Sequence, residues 1–182
     1  MRSSLLHRFL HNPTLIGSVA DSSTQLARAM AATLRLGDQV VEVGAGTGAI
    51  TRAIVRAGVQ PPDLVLVEAD EECARTLRAR FPAVRVVHAY AEQARVPVAG
   101  ADYVVSGVPL RNLTREQRQA FLVAVSRWLR PGGVLVQFTY GLRSPIGREA
   151  LLDAGFVPRI ARPVRVWANV PPALVFRYRR AG

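Results

Sequence analysis

Three glycines at alternate positions, directly after a short apolar run, form the segment best suited to bind a ligand. Residues 39–48 read QVVEVGAGTG, so Gly44, Gly46 and Gly48 follow a predicted buried strand over 40–43. An apolar helical pattern over 49–55 comes next. Strand, glycine turn and helix in this order predict a nucleotide-sized crevice at the carboxyl end of a parallel strand, where glycine lets a ligand lie against bare backbone.

The same letters fit two kinds of nucleotide. Gly44, Gly46 and Ala49 satisfy the dinucleotide pattern G-x-G-x-x-G/A, in which the glycines serve a pyrophosphate. Glu42 precedes the glycines, and its carboxylate would oppose a pyrophosphate but attract a cation such as the ammonium of a methionine moiety. Glu68 ends the next predicted strand, over 64–67, where a carboxylate accepts hydrogen bonds from both ribose hydroxyls under either interpretation.

Strand and helix patterns alternate along most of the chain. The residues predict a loop over 14–21, a capping box at Ser22 and Gln25 that opens a helix to about Leu34, and a second capping box at Thr114 and Gln117. Further strands are predicted over 84–87, 102–106 and 134–138, and helices over 71–80, 114–129 and 146–154. Two β-rich runs, 164–170 and 174–178, predict a closing antiparallel pair. The fold class is therefore α/β, with a mostly parallel sheet covered by helices on both faces.

Composition restricts the class of protein and its partners. With 182 residues, 49% of them apolar, the chain predicts one globular domain. No apolar run approaches the roughly 20 residues that span a bilayer, and no secretory signal is recognisable, so we expect a cytoplasmic protein. The single cysteine, Cys73, and the lack of a Cys/His cluster predict neither a disulfide nor a metal site. All 24 basic residues are arginines against 13 acids, and the net charge of +11 favours an anionic partner, either nucleic acid or a membrane surface.

Residues 2–11 form a short amphipathic pattern. Leu5, Leu6, Phe9 and Leu10 share one stripe, and Arg8 is among the basic residues that flank it. Such a segment is typical of a helix that lies in a membrane interface, and it also suits a lid packed on the domain. We therefore expect an N-terminal unit over 1–21, an amphipathic helix and a loop that covers the ligand, followed by the main domain over 22–182.

The stretch from Glu42 to Gly48 resembles motif I of class I S-adenosylmethionine-dependent methyltransferases. This resemblance implies a seven-stranded sheet whose last strand is inserted antiparallel, with S-adenosylmethionine as cofactor and S-adenosylhomocysteine as product. The cofactor-binding residues it implies are Ser18, Glu42, Gly44, Gly46, Gly48, Glu68, Ala69, Tyr90, Ala91 and Ser106. Tyr90 stands where the family commonly has an acid near the adenine amino group, so the ring of Tyr90 stacking on adenine, the backbone of Ala91 or the side chain of Glu92 has to replace that acid.

Several segments are more specifically similar to bacterial phospholipid N-methyltransferases, which convert phosphatidylethanolamine stepwise to phosphatidylcholine. These segments are 16–22, 106–110, 136–140 and 167–173, with Asp21 in place of an expected proline. The resemblance implies a phospholipid substrate and a peripheral position at the inner face of the cell membrane, reached through Leu5, Leu6, Arg8, Phe9 and Leu10. Enzymes that methylate ornithine lipids look similar.

The same resemblance implies a direct displacement by the amine lone pair, which needs no metal. The candidate catalytic residues are Tyr140, Ser106 and Gly107, and the candidate substrate-binding residues are Pro109, Tyr140, Arg143, Trp167 and Asn169. Tyr140 suits the headgroup because an aromatic face favours a methylated cation. Arg143 suits the lipid phosphate.

Two other functions are alternatives to lipid methylation. An RNA or DNA adenine methyltransferase of the same fold would carry an amide or acid, a proline and an aromatic at the end of the fourth strand. This chain reads Ser106-Gly107-Val108-Pro109-Leu110 there, so nucleic acid is the less favoured partner. A non-enzymatic relic that still binds the cofactor is supported by Tyr90 alone.

Overall fold

The computed structural model describes residues 16–98, 100–140, 143–158, 162–167 and 172–182. Within these ranges five α-helices occur: α1 (Ile16–Ala31), α2 (Ala49–Arg56), α3 (Glu71–Arg80), α4 (Arg115–Trp128) and α5 (Arg148–Asp153). The strands are β1 (Val40–Val43), β2 (Leu64–Glu68), β3 (Arg85–His88), β4 (Ala101–Ser106), β5 (Leu129–Tyr140), β6 (Phe156–Val157), β7 (Val164–Val166) and β8 (Ala173–Arg180). Short 3-10 helices lie over Pro61–Asp63 and Leu110–Asn112.

All of these strands belong to one sheet, with the order β3-β2-β1-β4-β5-β8-β6 and with β7 also paired to β8. The first five strands are parallel, whereas β8 runs antiparallel between β5 and β6. Val43 pairs with both Val67 and Ser106, and Ser106 pairs with Gln137, so the carboxyl ends of β1, β2, β4 and β5 lie side by side. The predicted α/β class with an inserted antiparallel strand is confirmed, in a sheet of eight strands.

Helices cover both faces of this sheet. Met30 of α1, Ile54 of α2 and Leu77 of α3 belong to one buried cluster with Val105 and Val136 of the sheet. A second cluster on the other face unites Phe121 and Leu122 of α4 and Leu151 of α5 with alternate strand residues such as Val104 and Leu135. Strands buried on both faces read as continuous apolar runs, which is why β1 and β2 could be predicted.

The N-terminal part of the described chain corrects two expectations. Helix α1 begins at Ile16, so the predicted loop over 14–21 is wrong from Ile16 onward, and Ser22 lies inside the helix instead of capping it. The helix also ends at Ala31, before Leu34. Leu26, Ala27, Met30 and Ala31 are buried, so packing of this apolar face against the sheet outweighs the local signal of Ser22. The amphipathic segment 2–11 lies outside the described residues.

The carboxyl half contains one further correction. Residues 130–133, which lie between the predicted helix over 114–129 and the predicted strand over 134–138, belong to β5, which begins at Leu129 and shifts register opposite Ala101 and Tyr103. A Cβ on Gly133 would lie 2.9 Å from the Ala101 carbonyl oxygen, so this glycine allows the two strands to approach closely. Strand β6 has only two residues and was not predicted. In the described part of the chain, no helix is both long and apolar enough to cross a membrane.

Candidate active site

The predicted site residues emerge at one edge of the sheet because parallel strands end at the same edge. The turn of residues 44–48 follows β1, Ala69 follows β2, Tyr90 follows β3 and Gly107 follows β4. Tyr140 is the last residue of β5, at the same edge. Ligands of open α/β sheets bind at this edge, so the topology brings together residues that are up to 96 positions apart.

The glycine turn is shaped to receive a ligand. Gly44, Gly46 and Gly48 all have positive φ angles, of 71°, 53° and 82°. A Cβ on Gly46 would meet no heavy atom within 4 Å, so open space adjoins its backbone. Gly48 then occupies the N-cap position of α2. The turn therefore presents bare backbone to a ligand and directs the chain into the helix.

Glu68 links this turn to the end of β2. Its two carboxylate oxygens accept hydrogen bonds from the backbone N–H of Gly46, at 2.7 Å, and of Asp70, at 2.9 Å. The side chain is buried, and each oxygen retains a further lone pair for a hydroxyl group. The predicted ribose acceptor is thus held in a fixed orientation beside Gly46.

Glu42 lies in β1, as expected, and is buried there. Its side chain is fully buried beneath α2, where the Thr51 hydroxyl donates a 2.7 Å hydrogen bond to Oε2, and Oε1 is buried without a partner among the described residues. Burial raises the pKa of Glu42 from 4.5 to about 8, with the charge of Glu68 adding to the shift. Burial therefore favours the protonated acid over the carboxylate, and the contact of Glu42 with a cationic methionine moiety stays a prediction.

The end of β3 supplies an exposed aromatic ring. Tyr90 is 60% exposed, and its carbonyl accepts hydrogen bonds from Gln93 and Ala94 in the turn that follows. Ala91 is buried next to it. The Tyr90 ring is thus accessible at this edge, and its stacking on adenine stays a prediction.

The turn after β4 contacts the glycine turn directly. Gly107 donates a 2.8 Å backbone hydrogen bond to the Val43 carbonyl, and a Cβ on Gly107 would lie 2.4 Å from the Gly44 carbonyl oxygen. A Cβ on Gly44 would in turn lie 2.9 Å from Cγ2 of Val108. Ser106 is buried, and its hydroxyl accepts a hydrogen bond from the Val108 N–H at 3.3 Å. Backbone therefore packs on backbone here, which only glycine at both positions allows.

The ends of β5 and β7 carry exposed aromatic and basic side chains. Tyr140 is 49% exposed and makes an edge-to-face contact with Phe138 at 5.4 Å between ring centroids. Trp167, directly after β7, is 70% exposed, and the guanidinium of Arg165 lies 4.7 Å from its ring centroid. Arg143 is also exposed. These residues form an open aromatic and basic border at this end of the sheet edge.

The remaining predicted residues are only partly placed. Ser18 lies in α1, and Pro109 lies in the turn after β4, where it precedes a 3-10 helix. Asn169 and the membrane candidates Leu5, Leu6, Arg8, Phe9 and Leu10 lie outside the described residues. A search of the described side chains finds no cluster of His, Cys, Asp and Glu able to hold a metal ion.

Sequence reasoning missed three contributors to the site. Thr51 binds Glu42, Val108 packs against Gly44, and Gln137 donates hydrogen bonds to the carbonyls of Val108 and Phe138. A buried glutamine inside the apolar strand β5 was the one available signal, because such a residue needs partners. A cavity of about 360 Å³ between α1 and α2 is lined by none of the predicted site residues.

The site fits S-adenosylmethionine. Gly46 offers open backbone, Glu68 offers a fixed carboxylate for the ribose, and the exposed ring of Tyr90 lies at the same edge. The turn of Ser106 and Gly107 adjoins Gly44 and so lies next to the same ligand.

Comparisons with known proteins agree with this assignment. A family described as "Methyltransferase domain" matches residues 40–133. An ornithine lipid N-methyltransferase from Singulisphaera acidiphila is 32% identical over 146 residues, which are 74% of this chain and 75% of that protein. A ribosomal RNA small subunit methyltransferase A from Maridesulfovibrio salexigens is 40% identical over 85 residues, which are 47% of this chain and 28% of that protein.

Solved structures share the fold. The N-methyltransferase NodS from Bradyrhizobium japonicum, in complex with S-adenosyl-L-homocysteine, superposes with a TM-score of 0.72 at 18% identity, covering 97% of each chain. Its bound product is the demethylated form of the cofactor that fits the site described above. On the family match, the identity over three quarters of a relative and the geometry of the glycine turn, this chain belongs to the class I S-adenosylmethionine-dependent methyltransferases.

Proposed function

We propose that the chain N-methylates a membrane lipid amine, with phosphatidylethanolamine as acceptor and phosphatidylcholine as the final product. The observation that carries this proposal is the 32% identity, over three quarters of both chains, to a protein named for the N-methylation of ornithine lipid. The site supports it, since the residues next to Gly44 form a small, partly buried turn while the outer border is aromatic and basic.

The chain's own residues mainly bind and orient the reactants. S-adenosylmethionine, when bound, supplies a methyl group that its sulfonium already activates. Glu68 would hold the ribose hydroxyls, and the glycine turn would adjoin the methionine moiety through its backbone. The turn of Ser106 and Gly107 would orient the amine for attack on the methyl group, an effect of proximity and orientation. The amine loses its proton to water.

Tyr140 and Arg143 belong to the acceptor end of the site. An aromatic face attracts a methylated ammonium, and Tyr140 is half exposed at the end of β5. A guanidinium binds phosphate through paired donors, and Arg143 is exposed three residues further on. Trp167 and Asn169 would border the headgroup. No residue of this set has to form a covalent intermediate.

The proposal includes a peripheral position at the inner face of the cell membrane. Residues 2–11, with Leu5, Leu6, Phe9 and Leu10 in one stripe, would insert their apolar face below the headgroups, and the net charge of +11 would favour anionic lipid. Deletion of residues 2–11 is expected to abolish co-sedimentation with vesicles that contain phosphatidylglycerol. Unchanged co-sedimentation of the truncated protein would refute this part of the proposal.

Two other acceptors have specific support. Ornithine lipid is the acceptor named for the relative with 32% identity, and small-subunit ribosomal RNA is named for the relative with 40% identity over a shorter segment. The basic charge agrees with RNA as well. The absence of an amide, an acid or an aromatic between Ser106 and Leu110 argues against a nucleobase.

A panel of acceptors tests the proposal. Purified protein and radiolabelled S-adenosylmethionine are incubated with phosphatidylethanolamine vesicles, ornithine lipid vesicles or small-subunit ribosomal RNA, and the label in each acceptor is counted. Label in phosphatidylethanolamine is expected. Transfer to ornithine lipid alone would move the assignment to that lipid, and transfer to RNA alone would overturn lipid methylation. Bound S-adenosylhomocysteine, measured by calorimetry, shows that the protein is intact in every arm.

A further inference from the structure

Gln137 is a fully buried polar residue in the middle of an apolar strand. It lies in β5 after Leu135 and Val136, which are also fully buried, and it pairs in register with Ser106 of β4. Paired residues of adjacent strands point to the same face of a sheet, so Gln137 lies beneath the turn that follows Ser106. A glutamine at such a position loses its contacts with water and has to replace them with protein partners.

The amide of Gln137 meets that requirement on one side only. Its Nε2 donates hydrogen bonds to the Val108 carbonyl, at 2.9 Å, and to the Phe138 carbonyl, at 2.8 Å. Its Oε1 is buried and has no partner among the described residues. Both partners of Nε2 are acceptors, so turning the amide over would place oxygen against oxygen. The side chain thus leaves one acceptor unpaired, at a cost in stability, to hold two carbonyls.

The Val108 carbonyl is the centre of a tight turn. It also accepts a 2.9 Å hydrogen bond from the Leu110 N–H, and Pro109 between them has φ −77° and ψ 79°, the geometry of an inverse γ-turn. Arg118 fixes the next segment, since its guanidinium donates to the carbonyls of Leu110 and Leu113, both at 3.1 Å. Gln137 and Arg118 therefore hold the turn after β4 from two sides.

One carbonyl of this turn stays available. The carbonyls of Val108, Pro109 and Leu110 accept hydrogen bonds within the turn and the 3-10 helix that follows. Outside the helices and strands, no backbone N–H of the described residues donates a hydrogen bond to the carbonyl of Gly107. Gly107 itself lies against the Gly44 carbonyl of the cofactor turn.

We propose that Gln137 is a positioning residue for the acceptor amine. By holding the Val108 carbonyl it fixes the turn so that the free carbonyl of Gly107 accepts an N–H of the amine and directs the amine lone pair. This inference rests on the proposed function, because it requires an amine acceptor. It also has a specific consequence, because the amine can donate to the Gly107 carbonyl only while its nitrogen still carries a hydrogen.

Successive methylation removes those hydrogens one at a time. A neutral primary amine has two N–H groups, its monomethyl product has one, and the dimethyl product has none. Loss of the Gln137 hydrogen bonds should therefore slow the first and second transfers and spare the third. A merely structural role of Gln137 would slow all three transfers alike.

The test uses vesicles of phosphatidylethanolamine, monomethyl-phosphatidylethanolamine and dimethyl-phosphatidylethanolamine as three separate acceptors. Gln137→Met keeps the length of the side chain but removes both donors. We expect kcat/KM to fall about tenfold on the first two acceptors and less than about twofold on the third, through kcat, since the loss corresponds to one or two hydrogen bonds in the transition state. S-adenosylhomocysteine binding should be unchanged. Leu135→Val, two residues earlier on the same face of β5, is the control for a disturbed core and should show no dependence on the acceptor.

A second variant covers the case in which Gln137→Met does not fold. Gln137→Glu retains one donor while the acid is protonated and none once it ionises, so its deficit on the primary amine relative to the dimethyl acceptor should grow as the pH rises. Equal slowing on all three acceptors, no slowing on any, or a loss of S-adenosylhomocysteine binding alone would overturn the inference. If the unaltered protein methylates none of the three acceptors, the proposed function fails, and the inference fails with it.

Discussion

The two halves of the functional edge are built on different principles. On the cofactor side, at the ends of β1 and β2, backbone groups and buried carboxyls bind one another, as Glu68 does with Gly46 and Thr51 does with Glu42. On the acceptor side, at the ends of β5 and β7, Tyr140 is half exposed and Trp167 is largely exposed. The first half holds one ligand in a fixed geometry, whereas the second half leaves room for an acceptor that arrives from outside.

The turn after β4 joins these halves, and a substitution there should have the largest effect on methyl transfer. Gly107→Ala places a Cβ about 2.4 Å from the Gly44 carbonyl oxygen, a contact that backbone cannot relieve without moving both turns. We expect methyl transfer to fall by about 100-fold or more, because displacing reacting groups by about 1 Å has that effect. Steady-state kinetics and S-adenosylhomocysteine binding should both show the loss.

Gly147→Ala is the matched control for that substitution. Gly147 has φ −72°, and a Cβ there would meet no heavy atom within 4 Å. Activity and thermal stability should stay close to those of the unaltered protein. If Gly107→Ala behaves like Gly147→Ala, the close contact of the two turns is not required for function.

The next largest effect is expected on the cofactor side. Glu68→Gln keeps the shape of the side chain but removes its negative charge. The backbone N–H groups of Gly46 and Asp70 and the ribose hydroxyls would then face a neutral amide in place of a carboxylate. Hydrogen bonds to charged groups contribute about 1.5–3 kcal/mol, so S-adenosylhomocysteine should bind roughly 10- to 100-fold more weakly by calorimetry. Glu71→Gln, an exposed acid in the first turn of α3, should bind it normally. Equal affinities of the two variants would contradict the assignment of Glu68 to the ribose.

Substitution of two tyrosines, one on each side, tests the division between the cofactor side and the acceptor side. Tyr90→Leu should weaken S-adenosylhomocysteine binding by roughly 5- to 10-fold, and Tyr140→Leu should raise the KM for the lipid acceptor by a similar factor, since stacking and cation–π contacts contribute about 1 kcal/mol each. Each variant should leave the other measurement unchanged. Crossed effects would show that the edge is not divided between cofactor and acceptor as described.

A separate effect, on stability, is expected at Glu42. Burial raises the pKa of Glu42 to about 8, above its ordinary 4.5, so between these values the folded protein holds a proton that the unfolded chain has released. Its contribution to stability is therefore largest below about pH 4.5 and is lost as the pH rises through about 8. Glu42→Gln has no proton to release, so it should be about as stable as the unaltered protein near pH 4.5 and more stable than it at pH 7.

Urea denaturation from pH 5 to pH 9 measures this difference. The free energy of unfolding of the unaltered protein should fall relative to that of Glu42→Gln as the pH rises across the window. If the free energies of unfolding of the two proteins change in parallel with pH, the pKa of Glu42 is not raised by folding. Glu42 would then be ionised at neutral pH and could attract the ammonium of the cofactor, as the sequence predicted.

The contrast between the halves also explains what the sequence could predict. Residues 40–43, the three alternate glycines and the strand that ends at Glu68 carry local signals, namely apolar runs and glycine spacing, and the structure forms these strands and this turn as expected. The role of Gln137 depends on Val108, 29 positions away, and the protonation of Glu42 depends on burial beneath α2. Such properties arise from tertiary packing and leave no spacing pattern. At Ser22 the sequence does carry a local signal, a capping pattern, but the prediction was wrong because the packing of α1 outweighed that signal.

The central claim is that this edge transfers methyl groups to a lipid amine. Its most direct test is mass spectrometry of phosphatidylethanolamine vesicles after incubation with the protein and S-adenosylmethionine carrying a deuterated methyl group. The account predicts lipid species that have gained one, two and three deuterated methyl groups on the headgroup nitrogen. Unlabelled lipid, in the presence of protein that binds S-adenosylhomocysteine and labels ribosomal RNA in a parallel reaction, would contradict it.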